Sequence, residues 1–150
     1  MYSRFVCGYT KNGDWMKKRK ADIHVRIPNS VLIFATGAIG YVVLELLWRG
    51  FSHWSMALAG GTCFLLYYKL CEDAQNMPLF KKCFFGALLI SCVELMFGTV
   101  VNVMLRLNVW DYSSLPLHFF GQICLPFFVL WFLLCIPLTG LCNLIRKKAA

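Results

Sequence analysis

The sequence has few charged residues, and acidic residues are particularly scarce. Charged residues make up 15% of the 150, with seven Asp and Glu against fifteen Lys and Arg. A soluble domain typically carries about 25% charged and about 45–50% apolar residues. Hydrophobic residues here reach 59%, and the mean hydropathy is +0.64. The length allows one small domain, and this composition indicates an integral membrane protein rather than a soluble enzyme, a disordered chain or a secreted disulfide scaffold.

The sequence also lacks the common motifs of soluble enzymes. It contains no Walker A motif and no GxGxxG, HExxH or GxSxG. None of its eight cysteines stands at CxxC spacing from another, and none falls in a predicted outer loop. We therefore expect neither a disulfide framework nor a metal site. No cofactor is identified by these residues.

Basic residues are concentrated near the N-terminus. Residues 1–30 hold seven of the fifteen, before the first apolar run and without the small-residue cleavage site of a signal peptide. A basic arm of this kind can set membrane topology or bind anionic lipid or nucleic acid. We expect residues 1–30 to form a basic cytoplasmic N-terminal segment. Its expected partner is the lipid bilayer, and we expect it to bind no nucleic acid.

Four apolar runs approach or exceed the length of about 20 residues that a membrane-spanning helix needs. They are Val31–Trp48, Ser55–Leu70, Cys83–Leu105 and His118–Ile145. The last is longer than one span requires, and we expect Pro126 and Pro137 to kink or shorten it. The sequence therefore predicts an all-α polytopic membrane protein, with residues 31–150 forming a four-helix transmembrane domain that begins after an N-cap at Asn29 or Ser30.

The distribution of Lys and Arg predicts the orientation of this domain. With the N-terminus inside, thirteen basic residues lie on the inner side and only Arg49 and Arg106 on the outer side. This asymmetry predicts cytoplasmic N- and C-termini in a multi-pass plasma-membrane protein. Four aromatic residues fall near the predicted outer boundary, as an interfacial belt would: Trp48, Trp54, Trp110 and Tyr112.

Two acidic residues lie within predicted spans. A charge at the centre of a spanning helix costs roughly 2.5–3.5 kcal/mol, so such a residue is a functional-site hypothesis. Glu94 is near the middle of its span, whereas Glu45 is near the outer end of its own. Glu45 and Arg49 are four residues apart, and this spacing predicts an ion pair along the helix.

Helical spacing places these and other polar residues on shared faces. The faces are Tyr41, Glu45 and Arg49; Glu94, Gly98 and Asn102; and His118 and Gln122. All lie in the outer half of the predicted membrane domain, which predicts an outward-facing polar cavity. The expected substrate-binding or ion-coupling residues are Glu45, Arg49, Glu94, Asn102, Asp111, Tyr112, His118 and Gln122. The expected packing residues are Gly60, Gly61 and Gly98.

Three segments carry a resemblance to a known family. The run Val109–Pro116 reads VWDYSSLP and is followed by GQICL, the run Glu45–Gly50 reads ELLWRG, and Glu94–Gly98 reads ELMFG with Asn102 beyond it. Together they resemble the CmpB-like family, described as type IV ABC-transporter permeases, over roughly residues 37–132. The resemblance implies a small membrane permease. His118 departs from the family pattern, in which Asn is common at this position.

The sequence is compatible with three functions. The leading one is a permease- or channel-like protein for a cationic or polar solute, with Glu45 and Glu94 as binding or proton-coupling groups. It implies a homo-oligomer or a larger membrane partner. The second is an intramembrane enzyme using Asp111, His118 and the glutamates as acid–base groups or metal ligands. The third is a non-catalytic scaffold or accessory subunit whose polar residues only hold helices together.

The orientation is testable by cysteine labelling of intact cells with a membrane-impermeant maleimide. Ser114→Cys lies in the second predicted outer loop and should be labelled from outside. Gln75→Cys lies in the predicted inner loop and should be labelled only after the cells are permeabilised. The reverse pattern would overturn the predicted topology.

Overall fold

A computed structural model describes the backbone of residues 13–149 and the side chains of residues 30–147. By their contacts the residues divide into two units, Met1–Leu32 and Ile33–Ala150. Residues 1–29 of the predicted basic segment lie outside the residues whose side chains the structure describes, so that segment stays a prediction. The packing and the site below belong to the second unit.

The described chain is mostly helical, as the sequence predicts. Its helices are α1 (Gly13–Arg49), α2 (Trp54–Asp73), α3 (Leu79–Gly98) and α4 (Leu125–Ala149). Helix α3 continues directly into a π-helix over Thr99–Met104. Two short antiparallel strands, β1 (His118–Phe119) and β2 (Ile123–Cys124), form a hairpin before α4.

Three helical segments are long and apolar enough to cross a membrane. They are Ser30–Arg49, Leu79–Met104 and Leu125–Lys147. Helix α2 is not among them, so the fourth predicted span stays a prediction. Helix α1 begins at Gly13, well before the predicted N-cap at Asn29 or Ser30. The intervening residues 13–29 include three Lys and two Arg, which are good helix formers and favour this earlier start.

The prediction that a helix begins at His118 is wrong. His118 lies in β1, paired with Cys124, and α4 begins only at Leu125. Leu117, Phe120 and Gly121 have positive φ values, which no right-handed helix accommodates. Pro126 falls in the first turn of α4, where its missing N–H costs no hydrogen bond. Pro137 lies inside α4 without ending it.

The core is formed where α2, α3 and α4 pack together. Tyr67 of α2 is fully buried, and its hydroxyl contacts the hydroxyl of Thr139 at 2.7 Å and the carbonyl of Cys135 at 3.1 Å on α4. Gly86 of α3 lies against the same tyrosine ring, where a Cβ would collide with it. Small residues at these crossings therefore let the three helices approach closely.

Helix α1 approaches α2 through a pair of glycines. A Cβ on Gly60 would lie 2.8 Å from Cγ of Tyr41, and a Cβ on Gly37 would lie 2.6 Å from the carbonyl oxygen of Gly60. Real Cβ atoms do not approach so closely, so both positions need glycine. Gly61 is similarly covered by the ring of Phe34. This crossing fixes the position of Tyr41 along the axis of α2.

Candidate functional site

A cavity of about 250 Å³ lies where α1 ends, α2 begins and α4 begins. We call it the first cavity. Its walls come from the last turns of α1, the first turn of α2, the segment before β1 and the first half of α4. It is lined by Tyr41, Leu44, Glu45, Trp48, Arg49, Met56, Trp110, Tyr112, Phe127, Leu130, Trp131 and Leu134. Half of these side chains are aromatic, and two are charged.

Glu94 lies behind the first cavity and is almost completely buried. Its carboxyl group accepts a hydrogen bond of 2.9 Å from the Tyr41 hydroxyl and one of 2.8 Å from Nε1 of Trp131. The donors come from α1 and α4, while Glu94 itself is on α3. One carboxyl group therefore ties three helices together and holds two of the aromatic rings that line the cavity.

The aromatic rings form a continuous series along one side of the first cavity. Tyr112 stacks on Phe127 with ring centroids 4.5 Å apart. Phe127 lies 6.3 Å from Trp131, and Trp131 lies 5.7 Å from Tyr41. Phe127 and Trp131 are one helical turn apart on α4, so both project from the same face. The series presents ring surfaces, which are negative at their faces.

The predicted ion pair between Glu45 and Arg49 is present on α1. The second carboxylate oxygen of Glu45 accepts a hydrogen bond from Ser52, in the turn that follows the helix. Arg49 also donates to the carbonyl of Val109 at 2.8 Å, and its guanidinium lies 4.8 Å from the centroid of the Phe51 ring. The pair thus joins the end of α1 to the segment that follows the π-helix.

Asn102 of the π-helix anchors that same segment. Its side-chain amide donates to the carbonyl of Trp110 at 2.9 Å and to the side chain of Gln122 at 2.8 Å, and its oxygen accepts from the backbone of Val109 at 2.7 Å. Gly98, one turn earlier, leaves the space that the Gln122 side chain occupies. Asn102 therefore fixes Trp110 against the bundle, where its ring lines the first cavity.

Asp111 forms a tight local turn rather than part of the cavity wall. Its carboxylate accepts hydrogen bonds from both the hydroxyl and the backbone N–H of Ser113. These bonds, the hydroxyl first, lower the pKa of the Asp111 carboxyl below its usual value. The adjacent Tyr112 donates its backbone N–H to Gly121 at 2.8 Å. The turn thereby directs the Tyr112 ring inward, and burial there raises the pKa of its hydroxyl.

The structure brings only some of the predicted site residues together. Glu45, Arg49 and Tyr112 line the first cavity, and Glu94 supports two of its rings. Neither Glu94 nor Asn102 is among the residues that line the first cavity, and their hydrogen bonds form two separate networks. The hydrogen-bond partners of Glu94 are Tyr41 and Trp131.

Three further features differ from expectation. His118 is exposed in β1, while Gln122 is buried against Asn102, so the two do not share a helical face. The first cavity is lined mainly by aromatic and aliphatic side chains rather than by polar ones. Trp110 is only 6% exposed and donates from Nε1 to the carbonyl of Gln122 at 3.2 Å, so it is no part of an interfacial belt.

Trp48, Phe127 and Trp131 line the cavity without having been among the predicted site residues. The sequence contains a pattern that could have identified two of them. Phe127 and Trp131 stand four residues apart, and Trp131 is in the interior of a long apolar run, away from the membrane boundary where tryptophan is usually enriched. Among the residues that the structure describes, no group of three or more His, Cys, Asp or Glu could hold a metal ion.

Comparison with known families adds to this geometry. A family model described as "Putative ABC-transporter type IV" matches residues 31–149. The chain belongs to this family. Neither a curated protein nor a solved structure matches it. The family membership and the three apolar helices make it a transport-related membrane protein, and the matched region contains the whole first cavity.

A double-mutant cycle tests the ion pair of the first cavity. Glu45→Ala and Arg49→Ala should each destabilise the protein, and the double variant should recover about 0.5–3 kcal/mol relative to their sum. The reason is that either single change leaves one partly buried charge without its partner. Thermal or denaturant unfolding in detergent micelles measures the four free energies.

Lys69 and Asp73 provide the matched control for this cycle. They have the same spacing on α2, both are exposed, and no ion pair joins them in the described structure. Their coupling should stay below about 0.5 kcal/mol. Equal coupling in the two cycles, or additive effects at Glu45 and Arg49, would show that the ion pair does not stabilise the site.

Proposed function

We propose that this protein is a small permease-like component that binds an organic cation in the first cavity. The ligand would be a small molecule carrying a quaternary or tertiary ammonium group. Six aromatic rings and the Glu45 carboxylate surround a volume of about 250 Å³. Aromatic side chains around a carboxylate are the arrangement by which proteins recognise ammonium groups, because the ring faces attract a desolvated cation. This lining is the observation that carries the proposal.

The position of Glu94 strengthens the attraction for a cation. The Trp131 indole and the Tyr41 hydroxyl donate their polar hydrogens to its carboxyl group. Donation to a carboxyl group polarises the donor and increases the electron density of the ring. The rings of Tyr41 and Trp131 both line the first cavity. Glu94 therefore acts on a bound cation through two aromatic rings, without contacting it.

The balance of charge around the first cavity also favours a cation. Glu45 lines the cavity beside Arg49, and a second carboxyl group, that of Glu94, lies behind the Tyr41 and Trp131 rings. Arg49 is already engaged by Glu45, the Val109 carbonyl and the Phe51 ring. An anionic ligand would have to displace Glu45 from this arginine, which makes an anion the weaker candidate.

We further propose the membrane arrangement in which this site would work. Helix α2 forms a fourth span, both termini are cytoplasmic, and the first cavity faces outward across the plasma membrane. The distribution of basic residues supports this orientation. Because a single chain encloses only a small cavity and carries no Walker A motif, it would act as a homo-oligomer or with a larger membrane partner.

A structural role for the polar network is the second candidate. Every buried side-chain N and O atom in the described residues has a hydrogen-bond partner. A network that is fully satisfied can serve only to fix helix positions, as in a membrane scaffold. The two functions differ in whether the first cavity has affinity for a cation.

Substitution of one exposed lining residue tests the proposed function. Trp48 lines the first cavity yet is 78% exposed, so Trp48→Leu removes a ring without disturbing the core. One cation–π contact contributes about 0.5–2 kcal/mol, so affinity for tetramethylammonium should fall about two- to thirtyfold. Isothermal titration calorimetry on the protein in nanodiscs measures the change.

Trp54→Leu is the control for this experiment. Trp54 is also an exposed tryptophan, 61% accessible, but it does not line the first cavity. Its variant should bind tetramethylammonium as the unaltered protein does. Equal losses in the two variants, or binding of an anion such as benzoate in place of the cation, would contradict the proposal.

A further inference from the structure

A second cavity, of about 320 Å³, adjoins the first. It runs along α1, α2 and α4 towards the other end of the bundle. Apart from Thr36 and Tyr67, the residues that distinguish it from the first cavity are small or apolar, including Gly37, Gly40, Gly60, Phe64, Leu138 and Leu141. Among its lining residues none carries a formal charge. This is a site for a hydrocarbon rather than for a polar group.

The two cavities share one wall. Tyr41, Leu44, Trp131 and Leu134 line both of them. Two of these four are the rings that Glu94 holds by hydrogen bonds. The charged and aromatic part of the site is therefore continuous with an apolar part, and the Tyr41 and Trp131 rings lie at the junction.

The second cavity is accessible from the side of the bundle. Gly40 and Val43 both line it, and both are exposed on α1. The segment Ser30–Arg49 is long and apolar enough to span a membrane, and in that position its exposed residues would face lipid. A Cβ placed on Gly40 would meet nothing within 4 Å. The opening at Gly40 thus connects the second cavity with the hydrocarbon of the bilayer.

We propose that the ligand is an amphiphile, with its ammonium headgroup in the first cavity and a single alkyl chain in the second. This inference rests on the proposed function and narrows its ligand from organic cations in general to cationic amphiphiles. The chain would enter sideways from the membrane past Gly40. A water-soluble cation without a chain would leave the second cavity empty.

Affinity as a function of chain length tests this inference. Tetramethylammonium, butyltrimethylammonium and octyltrimethylammonium should bind with increasing affinity, by about two- to fourfold for each methylene that enters the second cavity. Gly40→Leu should fill the opening and lower octyltrimethylammonium affinity at least tenfold, while tetramethylammonium affinity stays unchanged. Titration calorimetry on the protein in nanodiscs gives all values.

Gly140→Leu is the matched control. Gly140 is an exposed helical glycine on α4, a Cβ placed on it would also meet nothing within 4 Å, and it does not line the second cavity. Its variant should bind all three probes normally. Longer chains also partition into the nanodisc lipid, but partitioning is the same for both variants, so only the difference between them reports the chain site. Thermal unfolding verifies that both variants are folded.

The possible failures are distinguishable. If tetramethylammonium binds normally and octyltrimethylammonium does not distinguish Gly40→Leu from Gly140→Leu, the chain site is wrong and the proposed function stands. If neither cation binds the unaltered protein, both proposals are wrong. If only the long-chain probe binds, and Gly40→Leu abolishes that binding, the chain site is supported and the headgroup site alone is insufficient.

Discussion

The carboxyl group of Glu94 is the interaction on which the arrangement of the site depends. It is 3% exposed in the middle of an apolar helix, where a carboxyl group costs several kcal/mol unless donors reach it. Tyr41 and Trp131 are those donors. Because they come from α1 and α4, satisfying this one group fixes both helices against α3. It also places two aromatic rings between the two cavities.

A second polar network fixes the other side of the first cavity. Asn102 holds the backbone of Val109 and Trp110, and Arg49 holds the same stretch from α1. The π-helix that contains Asn102 is a widened turn of a kind often found at functional sites. Together the two networks position three of the six aromatic side chains of the first cavity, those of Tyr41, Trp131 and Trp110.

The buried polar residues can be identified from the sequence, because polar side chains are rare in membrane-spanning helices. Glu45, Glu94 and Asn102 stand out because each is costly in hydrocarbon, and the spacing of Glu45 and Arg49 is enough to predict their ion pair. The partners of Glu94 and Asn102 are harder to predict. They come from residues 37 and 53 positions away for Glu94, and local periodicity carries no information on such pairs.

The segment before α4 shows the other limit of sequence-based prediction. A long run from His118 without Asp, Glu, Lys or Arg predicts a helix, but positive φ values at Leu117 and Phe120 turn the chain into a hairpin. Neither residue is Gly or Asn, so no turn residue marks these two positions. The tertiary contacts of Gln122 with Asn102 and Trp110 hold this conformation in place. Those contacts also hold Trp110, one of the aromatic side chains that line the first cavity.

Glu94→Gln in nanodiscs is the most direct measurement of the central claim. The amide keeps the shape of the carboxyl group, its oxygen can accept from Trp131, and its N–H can donate to the Tyr41 hydroxyl. The fold should therefore survive, while removal of the charge should weaken tetramethylammonium binding at least tenfold. Asp73→Asn, an exposed change at the far end of α2, should alter neither property. A folded Glu94→Gln protein that binds tetramethylammonium as tightly as before would contradict the account, as would loss of folding, which would make Glu94 purely structural.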